Sequence, residues 1–342
     1  MKNFWAVAAI CMMLVSCENK PEGVVLQFSG PAQGTSYSVT CMDPAGRNFQ
    51  PSIDSIFAVI DQSLSTYQPN STISQFNRDD SLSTDDVHFR EMVMQSGEVY
   101  RLTDGLFDPT VMPLVRAWGF GPEKVPEIKV NNLDSVRQFV GFTQLALSTS
   151  DKASRFYTLR KKQPGIQLDF NAIAQGYTVD VLADFFEKMG IRNYMIEVGG
   201  EVRAKGKNPE GKWWTLGIEQ PLEIEGISVM SAIANLENRS LATSGNYRKF
   251  YVKDGVKYAH TIDPHTGYPV NHTLLSVSVL AEKCATADAY ATAFMVMGFD
   301  QAWEFLEKHP ELGLEAYFIS SSKGEGWDIR MTDGMEAVVE MP

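Results

Sequence analysis

The sequence predicts an α+β fold, a single domain with mostly antiparallel sheets and flanking helices. Strand-like segments occur in runs, helical segments lie between the runs, and no repeat of roughly 20 to 50 residues is visible. A doubly wound parallel sheet would instead alternate strands and helices one by one. Because no Ser/Gly/Pro-rich linker divides the chain after residue 23, we expect one domain over residues 24–342.

The first residues are typical of a bacterial lipoprotein signal. An apolar run over residues 4–15 is too short to span a bilayer, and it leads into a Leu-Val-Ser-Cys sequence that resembles a lipobox. We expect a signal peptide over 1–16, lipidation of Cys17 and a polar tether over 17–23. The protein would then be anchored to a membrane on the periplasmic side of the cell envelope. The alternative is an ordinary cleaved signal peptide with an incidental cysteine.

Charge and cysteine content limit the possible partners. The net charge of −12 and the pI near 5.0 argue against a nucleic-acid partner, which would need clustered Lys and Arg. An acidic protein that handles phosphates must recruit a cation or backbone donors. Cys41 and Cys284 would remain after maturation, and they either pair in an oxidising compartment or stay as buried thiols.

The first half begins with predicted strands over residues 24–28 and 37–42, joined by a turn-rich segment. Two amphipathic helices follow, because apolar residues recur at helical spacing. Their predicted core-facing residues are Ile53, Ile56, Phe57, Ile60 and Leu64 in the first helix, and Phe89, Met92, Val93, Val99 and Tyr100 in the second.

Short strands are then predicted over 155–160 and 166–170, before a helix over about 172–189 that Gly190 closes. The second half is predicted to be rich in strands. These strands are 194–198, 213–219, 227–236, 257–262 and 274–280, followed by helices over 285–297 and 301–308.

The helix that contains residues 287–293 carries the first candidate site. Asp288 and Thr292 are four positions apart, so a carboxylate and a hydroxyl project from one helical face. Mg²⁺ prefers such oxygens and completes its shell with waters and substrate phosphates. The structural alternative is a helix packed through alanines, with Thr292 bonded to its own turn and Asp288 in a surface pair.

A second candidate is the strand-to-helix segment over residues 167–177. Its predicted first helical turn consists of Asn171 and small residues, and free N–H groups at a helix start can hold a phosphate. The segment has neither a dinucleotide-binding fingerprint nor a P-loop. The alternative interpretation is that Asn171 is a plain N-cap.

A third candidate is the strand end and Pro/Gly turn over residues 260–269. His260 is one of five histidines in the sequence and stands where a strand delivers side chains to a loop, a common location of catalytic groups. The alternative is a simple turn in which Asp263 forms an Asx hydrogen bond.

Together, eight segments resemble, in their order, motifs of the ApbE family, which comprises the FAD:protein FMN transferases. The similarity runs from about Gly30 to about Gly298. The segments are residues 33–35, 64–71, 105–111, 169–180, 197–201, 243–247, 260–267 and 287–293.

The resemblance implies a set of site residues. Asp288, Thr292 and the main-chain carbonyl of Ala172 would hold Mg²⁺, with FAD phosphate oxygens completing the shell. Tyr67 would lie at the isoalloxazine ring, for which its flat apolar face is suited. The remaining residues lining FAD would be Gln33, Asp108, Pro109, Thr110, Asp169, Gln175, His260 and Ile262. Asn171 and Gln175 depart from the glycine and lysine that the family often has, which removes a positive charge near the diphosphate.

The implied reaction is attack by a threonine hydroxyl of a partner protein on the FMN-side phosphorus of FAD, with AMP leaving. His260 is the candidate acceptor of the hydroxyl proton. The implied partners are FAD and a flavoprotein subunit of a membrane electron-transfer complex. Two other functions fit the same residues: a Mg²⁺-dependent FAD pyrophosphatase and a non-catalytic FAD-binding lipoprotein.

Overall fold

The structure is a computed structural model that describes residues 23–121, 133–149, 154–222, 229–246, 250–253, 256–322, 324 and 326–341. Cys17 and the predicted signal peptide lie outside these residues. Within the described ranges, no helix has the length and apolar character needed to cross a membrane. Cys41 and Cys284 are buried free thiols.

The strands pair antiparallel, as the sequence predicts. In chain order they are β1 (Val24–Ala32), β2 (Thr35–Asp43), β3 (Ser81–Thr84), β4 (Leu145–Thr149), β5 (Tyr157–Lys161), β6 (Tyr194–Val198), β7 (Glu201–Lys205), β8 (Trp214–Glu219), β9 (Met230–Leu236), β10 (Ser240–Gly245), β11 (Phe250–Lys253), β12 (Val256–Ala259), β13 (Leu274–Ala281), β14 (Glu315–Ser321), β15 (Trp327–Met331) and β16 (Val339–Glu340).

The helices lie between the runs of strands. In chain order they are α1 (Gln50–Leu64), α2 (Thr72–Arg78), α3 (Val87–Leu102), α4 (Met112–Ala117), α5 (Leu133–Arg137), α6 (Ala174–Lys188), α7 (Cys284–Met297), α8 (Phe299–Lys308) and α9 (Asp333–Glu336).

One large sheet organises the molecule, with strand order β1-β2-β6-β7-β10-β13-β14-β15. Helices cover one face of this sheet, and the small sheet β16-β9-β8 covers part of the other face. Strand β14 illustrates the division, because its side chains alternate between the two cores. Ala316 and Phe318 pack with the helices, whereas Tyr317 and Ile319 pack against the small sheet.

Helix α7 is buried almost all round because it lies between α6 and the large sheet. It contacts α6 on one side and β10 and β13 on another. Small alanine side chains at positions such as Ala287 and Ala291 allow this close approach on several sides. Asp288 and Thr292 therefore lie on a helix whose other residues are mostly apolar.

The predicted strand over residues 166–170 is absent. Ile166, Leu168 and Phe170 are buried alternately, which produced the strand-like pattern. The Leu168 backbone pairs with a side chain instead of a strand: its N–H donates to Asn77 Oδ1 at 2.7 Å, and its carbonyl accepts from Asn77 Nδ2 at 2.8 Å. Because the Asn77 side chain satisfies the backbone N–H and carbonyl of Leu168, the segment is extended and its side chains alternate as in a strand, although among the described residues it pairs with no neighbouring strand.

Other boundaries differ by a few residues. The helix predicted from residue 172 begins at Ala174, after a turn over 171–173. The strand predicted to reach residue 262 ends at Ala259, although Ile262 still forms an isolated bridge with Pro269. Both differences lie at the candidate site, where the chain leaves regular structure.

Candidate active site at the start of two buried helices

The turn before α6 is held by main-chain contacts to the 108–110 segment. The Asp169 N–H donates to the Pro109 carbonyl at 2.7 Å, which ties two predicted site segments together. Asp169 Oδ1 accepts from the Asn171 N–H at 2.8 Å and tightens the turn. The interpretation of Asn171 as N-cap is wrong, because Ile173 occupies the N-cap position and has no side-chain cap hydrogen bond.

The first turn of α6 is capped from α7. The Gly176 N–H donates to Asp288 Oδ2 at 3.1 Å. In a regular helix this N–H would donate to the carbonyl four residues earlier, which belongs to Ala172. Within the described part of the chain the Ala172 carbonyl accepts no hydrogen bond. Diverting one N–H therefore leaves a carbonyl oxygen available beside a carboxylate.

Asp288 is a buried acid, with a side chain only 5% exposed. Burial raises the pKa of Asp288 to about 7, and the hydrogen bond from Gly176 opposes this rise. No ion pair of the described residues includes Asp288, so the alternative of a surface pair is wrong. A buried carboxylate without a basic partner is stabilised when a cation binds it.

Thr292 faces the large sheet from the same helix. Its Oγ1 lies 3.2 Å from Ser244 Oγ on β10, and one of the two hydroxyls donates to the other. The structural alternative predicted that Thr292 bonds to its own helical turn, and no hydrogen bond of this kind occurs among the described residues. The two hydroxyls and Asp288 thus lie along the side of α7 that faces α6 and β10.

The donor set fits a hard cation that keeps waters or substrate oxygens. Among the described residues there is no cluster of three or more His, Cys, Asp or Glu side chains positioned for a metal. A site at Asp288 would use one carboxylate, one hydroxyl and one free carbonyl, a small oxygen set of the kind that suits Mg²⁺ bound to phosphates. The assignment of Ala172, Asp288 and Thr292 as ligands stays a prediction.

Two glycines permit close contacts around Gln175. A Cβ on Gly176 would lie 2.5 Å from the Cys284 carbonyl oxygen and 2.8 Å from Asp288 Cβ. A Cβ on Gly199 would lie 2.6 Å from Gln175 Nε2, and Gly199 also has a positive φ of 66°. Gln175 therefore packs over the Gly199 backbone, between α6 and the β6–β7 turn.

The 108–110 segment is a buried polar corner. Asp108 Oδ1 accepts from the Thr110 N–H at 2.8 Å and from Thr110 Oγ1 at 2.6 Å. Burial raises the pKa of Asp108 to about 6, while the hydrogen bonds from Thr110 lower it. Burial also raises the pKa of Asp169, and the nearby charge of Arg116 opposes that effect. Arg116 supplies a positive charge beside a segment that lacks the family lysine.

His260 immediately follows β12 and leads into a tightly held turn. Its ring lies edge-on to Phe120, with centroids 6.3 Å apart. Ile262 is buried and packs with Leu114 and Trp118. The following turn contains the expected Asx bond, in which the His265 N–H donates to Asp263 Oδ1 at 2.8 Å.

Helices α4 and α5 hold this turn in place. Trp118 Nε1 donates to the Gly267 carbonyl at 2.7 Å, and Arg137 Nη1 donates to the His265 carbonyl at 3.0 Å. Since α4 follows the 108–110 segment directly, these bonds connect the His260 turn to the segment that contacts Asp169.

Gln33 and Tyr67 lie on two separate turns. Gln33 has a positive φ of 50° in the β1–β2 turn, and its Nε2 donates to Thr178 Oγ1 on α6 at 2.8 Å. Its Oε1 is buried and accepts no hydrogen bond from the described residues. Tyr67 follows α1, and 71% of its side chain is exposed. A buried vacant acceptor and an exposed aromatic face are features of a site that binds a ligand.

The structure thus brings most predicted site residues into one network. Contacts connect residues 108–110 with Asp169, the first turn of α6 with Asp288, and Gln33 with α6. Tyr67 is not connected to this network by a hydrogen bond of the described residues. The assignment of all these residues to FAD, a metal or catalysis stays a prediction.

Three residues that shape the site were not predicted from the sequence. Gly176 sets the distance between α6 and α7, Ser244 is the partner of Thr292, and Arg116 lies near Asp169. Gly176 and Ser244 are both within motifs that the sequence singled out, so the signal was present. Arg116 lies outside the family motifs, and only the fold brings it to Asp169.

Comparison with known proteins gives one consistent family. The ApbE family model matches residues 33–318. An FAD:protein FMN transferase of Haemophilus influenzae is 36% identical over 311 residues, 88% of each chain. One of Vibrio cholerae is 37% identical over 315 residues, which cover 90% of this chain and 91% of the relative.

Solved structures agree with the sequence relatives. The flavin transferase ApbE from Vibrio cholerae has a TM-score of 0.80 and 33% identity, and the match covers 93% of this chain and 100% of that one. The apo flavinyl transferase ApbE from Pseudomonas stutzeri has a TM-score of 0.79 and 30% identity, covering 92% and 96%. The large sheet and its helices are therefore shared with structurally characterised flavin transferases.

Proposed function

The chain belongs to the ApbE family, and we propose that it is a transferase that moves FMN from FAD to a hydroxyl of a protein acceptor, assisted by a divalent cation. The relatives compared above are named FAD:protein FMN transferases, and their sequences align with about nine-tenths of this chain. The observation that carries the proposal is local: the free Ala172 carbonyl, the buried Asp288 carboxylate and the Thr292 hydroxyl lie at the contact of α6, α7 and β10.

In this reaction an acceptor threonine or serine oxygen forms a new bond to the FMN-side phosphorus of FAD. The bond from this phosphorus to the bridging oxygen breaks, and AMP leaves with that oxygen. A Mg²⁺ ion in the site would offset the negative charge of the diphosphate and of the leaving phosphate. The protein supplies mainly position and charge, since phosphoryl transfer needs little other chemistry from it.

Residues of this chain would bind both the cation and FAD. Asp288, Thr292 and the Ala172 carbonyl would bind the cation. Asp108 and Asp169 are suited to accept hydrogen bonds from flavin N–H groups or sugar hydroxyls, and the free Gln33 Oε1 is a further acceptor. Tyr67 would offer its exposed ring to the isoalloxazine.

His260 would accept the proton of the attacking hydroxyl. Imidazole titrates near neutral pH, which suits a general base at physiological pH. Its position at the end of β12 is fixed by the turn that Trp118 and Arg137 hold. A base beside a turn that is held by two hydrogen bonds is better positioned for catalysis than one on an unsupported loop.

The acceptor and the location are part of the same proposal. We propose a membrane-bound electron-transfer subunit with an exposed Ser/Thr-rich segment as acceptor, and a lipid anchor at Cys17 on the periplasmic side of the cell envelope. The lipobox-like sequence before Cys17 supports the anchor. Anchoring would keep enzyme and acceptor on one surface and raise their effective concentration.

The test is one reaction that contains the protein, FAD, Mg²⁺ and a threonine-containing acceptor peptide. Mass spectrometry is expected to find the peptide heavier by one FMN phosphoester, with AMP formed in equal amount. A peptide with valine in place of the threonine is the control and should stay unmodified. Free FMN and AMP with unmodified peptide would indicate a pyrophosphatase, and intact FAD would indicate a binding protein.

A further inference from the structure

Helices α6 and α7 cap each other. The first turn of α6 receives the carboxylate of Asp288 from α7, through the Gly176 N–H. The first turn of α7 receives the carboxylate of Asp180 from α6: the Cys284 N–H donates to Oδ1 at 3.1 Å, and the Ala285 N–H donates to Oδ2 at 3.0 Å. Neither N-cap residue, Ile173 or Lys283, makes a side-chain cap bond of its own.

The two carboxylates differ in their charge partners. Arg203 on β7 donates from Nη1 to Asp180 Oδ1 at 2.6 Å, and its side chain is also near Glu187. Asp180 is therefore a buried cap whose charge is already compensated within the protein. Asp288 has no such partner among the described residues, so its second oxygen remains available.

The two helices approach each other closely at their capped ends. Gly176 lies against the Cys284 carbonyl, so the backbones meet at the residues that the two caps serve. If the start of α7 moved away from α6, the Gly176 N–H would lose its acceptor Asp288 and become open to solvent exchange, and Asp288 would move away from the Ala172 carbonyl. The available carbonyl and the available carboxylate oxygen therefore depend on one geometry.

We propose that Asp180 is a positioning residue, which holds the start of α7 against α6 and so keeps Asp288 and the Ala172 carbonyl in register. The inference rests on the proposed function for its consequence, because these two groups are proposed cation ligands. The hydrogen-bond geometry itself does not depend on that function. Asp180 is predicted to touch neither FAD nor the cation.

The first test measures this geometry without a cation or FAD. Hydrogen exchange in the peptide that contains residues 174–177 reports whether the Gly176 N–H stays protected in the full protein. We expect exchange about tenfold faster in Asp180→Ala, because the carboxylate that stabilises the α7 start is gone. Asp180→Asn, which keeps one acceptor oxygen, should show an intermediate rate and serves if Asp180→Ala does not fold.

The second test measures the consequence for the cation. Mn²⁺ binding to the full protein, followed by electron paramagnetic resonance, is expected to weaken about tenfold in Asp180→Ala. The KM for Mg²⁺ in FMN transfer should rise more than kcat falls. Ile319→Ala is the matched control, since it removes a buried side chain on the other face of the sheet and should lower stability without changing Mn²⁺ affinity.

The outcomes separate the two proposals. Faster exchange at residues 174–177 in Asp180→Ala, absent from Ile319→Ala, supports the positioning role even if the wild type binds no Mn²⁺, a result that would count against the proposed function alone. Unchanged exchange in a folded Asp180→Ala or Asp180→Asn overturns the positioning role. Equal weakening of Mn²⁺ binding in Asp180→Ala and Ile319→Ala also overturns it.

Discussion

At the scale of single residues, the candidate site depends on oxygen atoms that the fold leaves without partners. Among the described residues, only one of the two Asp288 oxygens accepts a hydrogen bond, from the Gly176 N–H, and the Ala172 carbonyl lacks the donor that it would have in a regular helix. Unsatisfied buried oxygens lower stability unless a ligand compensates them. This balance makes the site sensitive to conservative substitutions.

Asp288→Asn and Thr292→Val separate the charge at the site from its shape. We expect Asp288→Asn to lower FMN transfer by about 100-fold or more, because it removes the anionic ligand. Thr292→Val should lower transfer by about tenfold and recover as Mg²⁺ is raised, since a weakened site is refilled by mass action. The measurement is transfer rate against Mg²⁺ concentration, with circular dichroism to check folding. Normal transfer by Asp288→Asn would show that this helix is structural.

The raised pKa of Asp288 predicts how stability changes with pH. Its pKa in the fold, about 7, lies above its unfolded value of 3.8, so the folded state holds the proton more tightly. The stability from this group is complete below about pH 4 and is lost as the pH rises to about 7. Urea unfolding of the metal-free protein should show Asp288→Asn gaining on the wild type by on the order of 2 kcal/mol between about pH 5 and pH 8. A constant difference would contradict the prediction.

Tyr67 is expected to contribute to FAD binding and little to stability. Tyr67→Ala should weaken FAD affinity by about 1 kcal/mol, which is about fivefold, because a stacking face is lost. The unfolding midpoint should change little, since 71% of the side chain is exposed. Phe156→Ala is the control, because it removes another aromatic ring that is 59% exposed. Equal FAD affinities in the wild type and both variants would contradict the prediction and show that Tyr67 does not contribute to FAD binding.

At the scale of secondary-structure elements, the α6–α7 contact limits what the site can tolerate. Gly176→Ala would place a Cβ against the Cys284 carbonyl and Asp288 Cβ. We expect a loss of stability of about 1 to 3 kcal/mol from overpacking, together with weaker Mg²⁺ binding. Gly324→Ala, at an exposed glycine with nothing within 4 Å of the added Cβ, should change neither property. Thermal unfolding and a Mg²⁺ titration of both variants give the comparison.

Some helices and strands could be predicted from local sequence patterns, and others could not. The helices α1 and α3 were predicted because their buried residues recur at helical spacing. The segment 166–170 has the alternation of a strand, but its backbone pairs with Asn77, a partner 91 positions away that no local pattern indicates. Strand β7 was missed because it carries two charged residues that pair with α6: Arg203 pairs with Asp180, and Lys205 pairs with Glu187.

The same distinction applies to the candidate site. The spacing of Asp288 and Thr292 places both on one helix, and family motifs identify the segments around them. Neither pattern shows that Gly176 donates to Asp288 and thereby frees the Ala172 carbonyl. That arrangement depends on the distance between two helices more than 100 positions apart in the chain, which is set by tertiary packing.

At the scale of the whole molecule, the proposed anchor determines where the enzyme meets its acceptor. Cys17→Ser removes the thiol that would carry the lipid, so we expect the protein to leave the membrane fraction or to accumulate unprocessed. Cell fractionation and the electrophoretic mobility of the two proteins measure this. FMN transfer to a soluble peptide should be unaffected, which serves as the control. A variant that fractionates and migrates like the wild type would contradict the lipoprotein proposal.

The turn after His260 also gives the molecule a built-in optical probe. Trp118 is 3% exposed, its indole N–H donates to the Gly267 carbonyl, and its ring lies 5.7 Å from that of Tyr268. Its emission therefore depends on the conformation of the turn that follows the proposed base. Because flavins absorb where tryptophan emits, a bound isoalloxazine near this turn would quench Trp118 by energy transfer. The difference in emission between the wild type and Trp118→Phe would then record flavin arrival and product release in real time, without an added label.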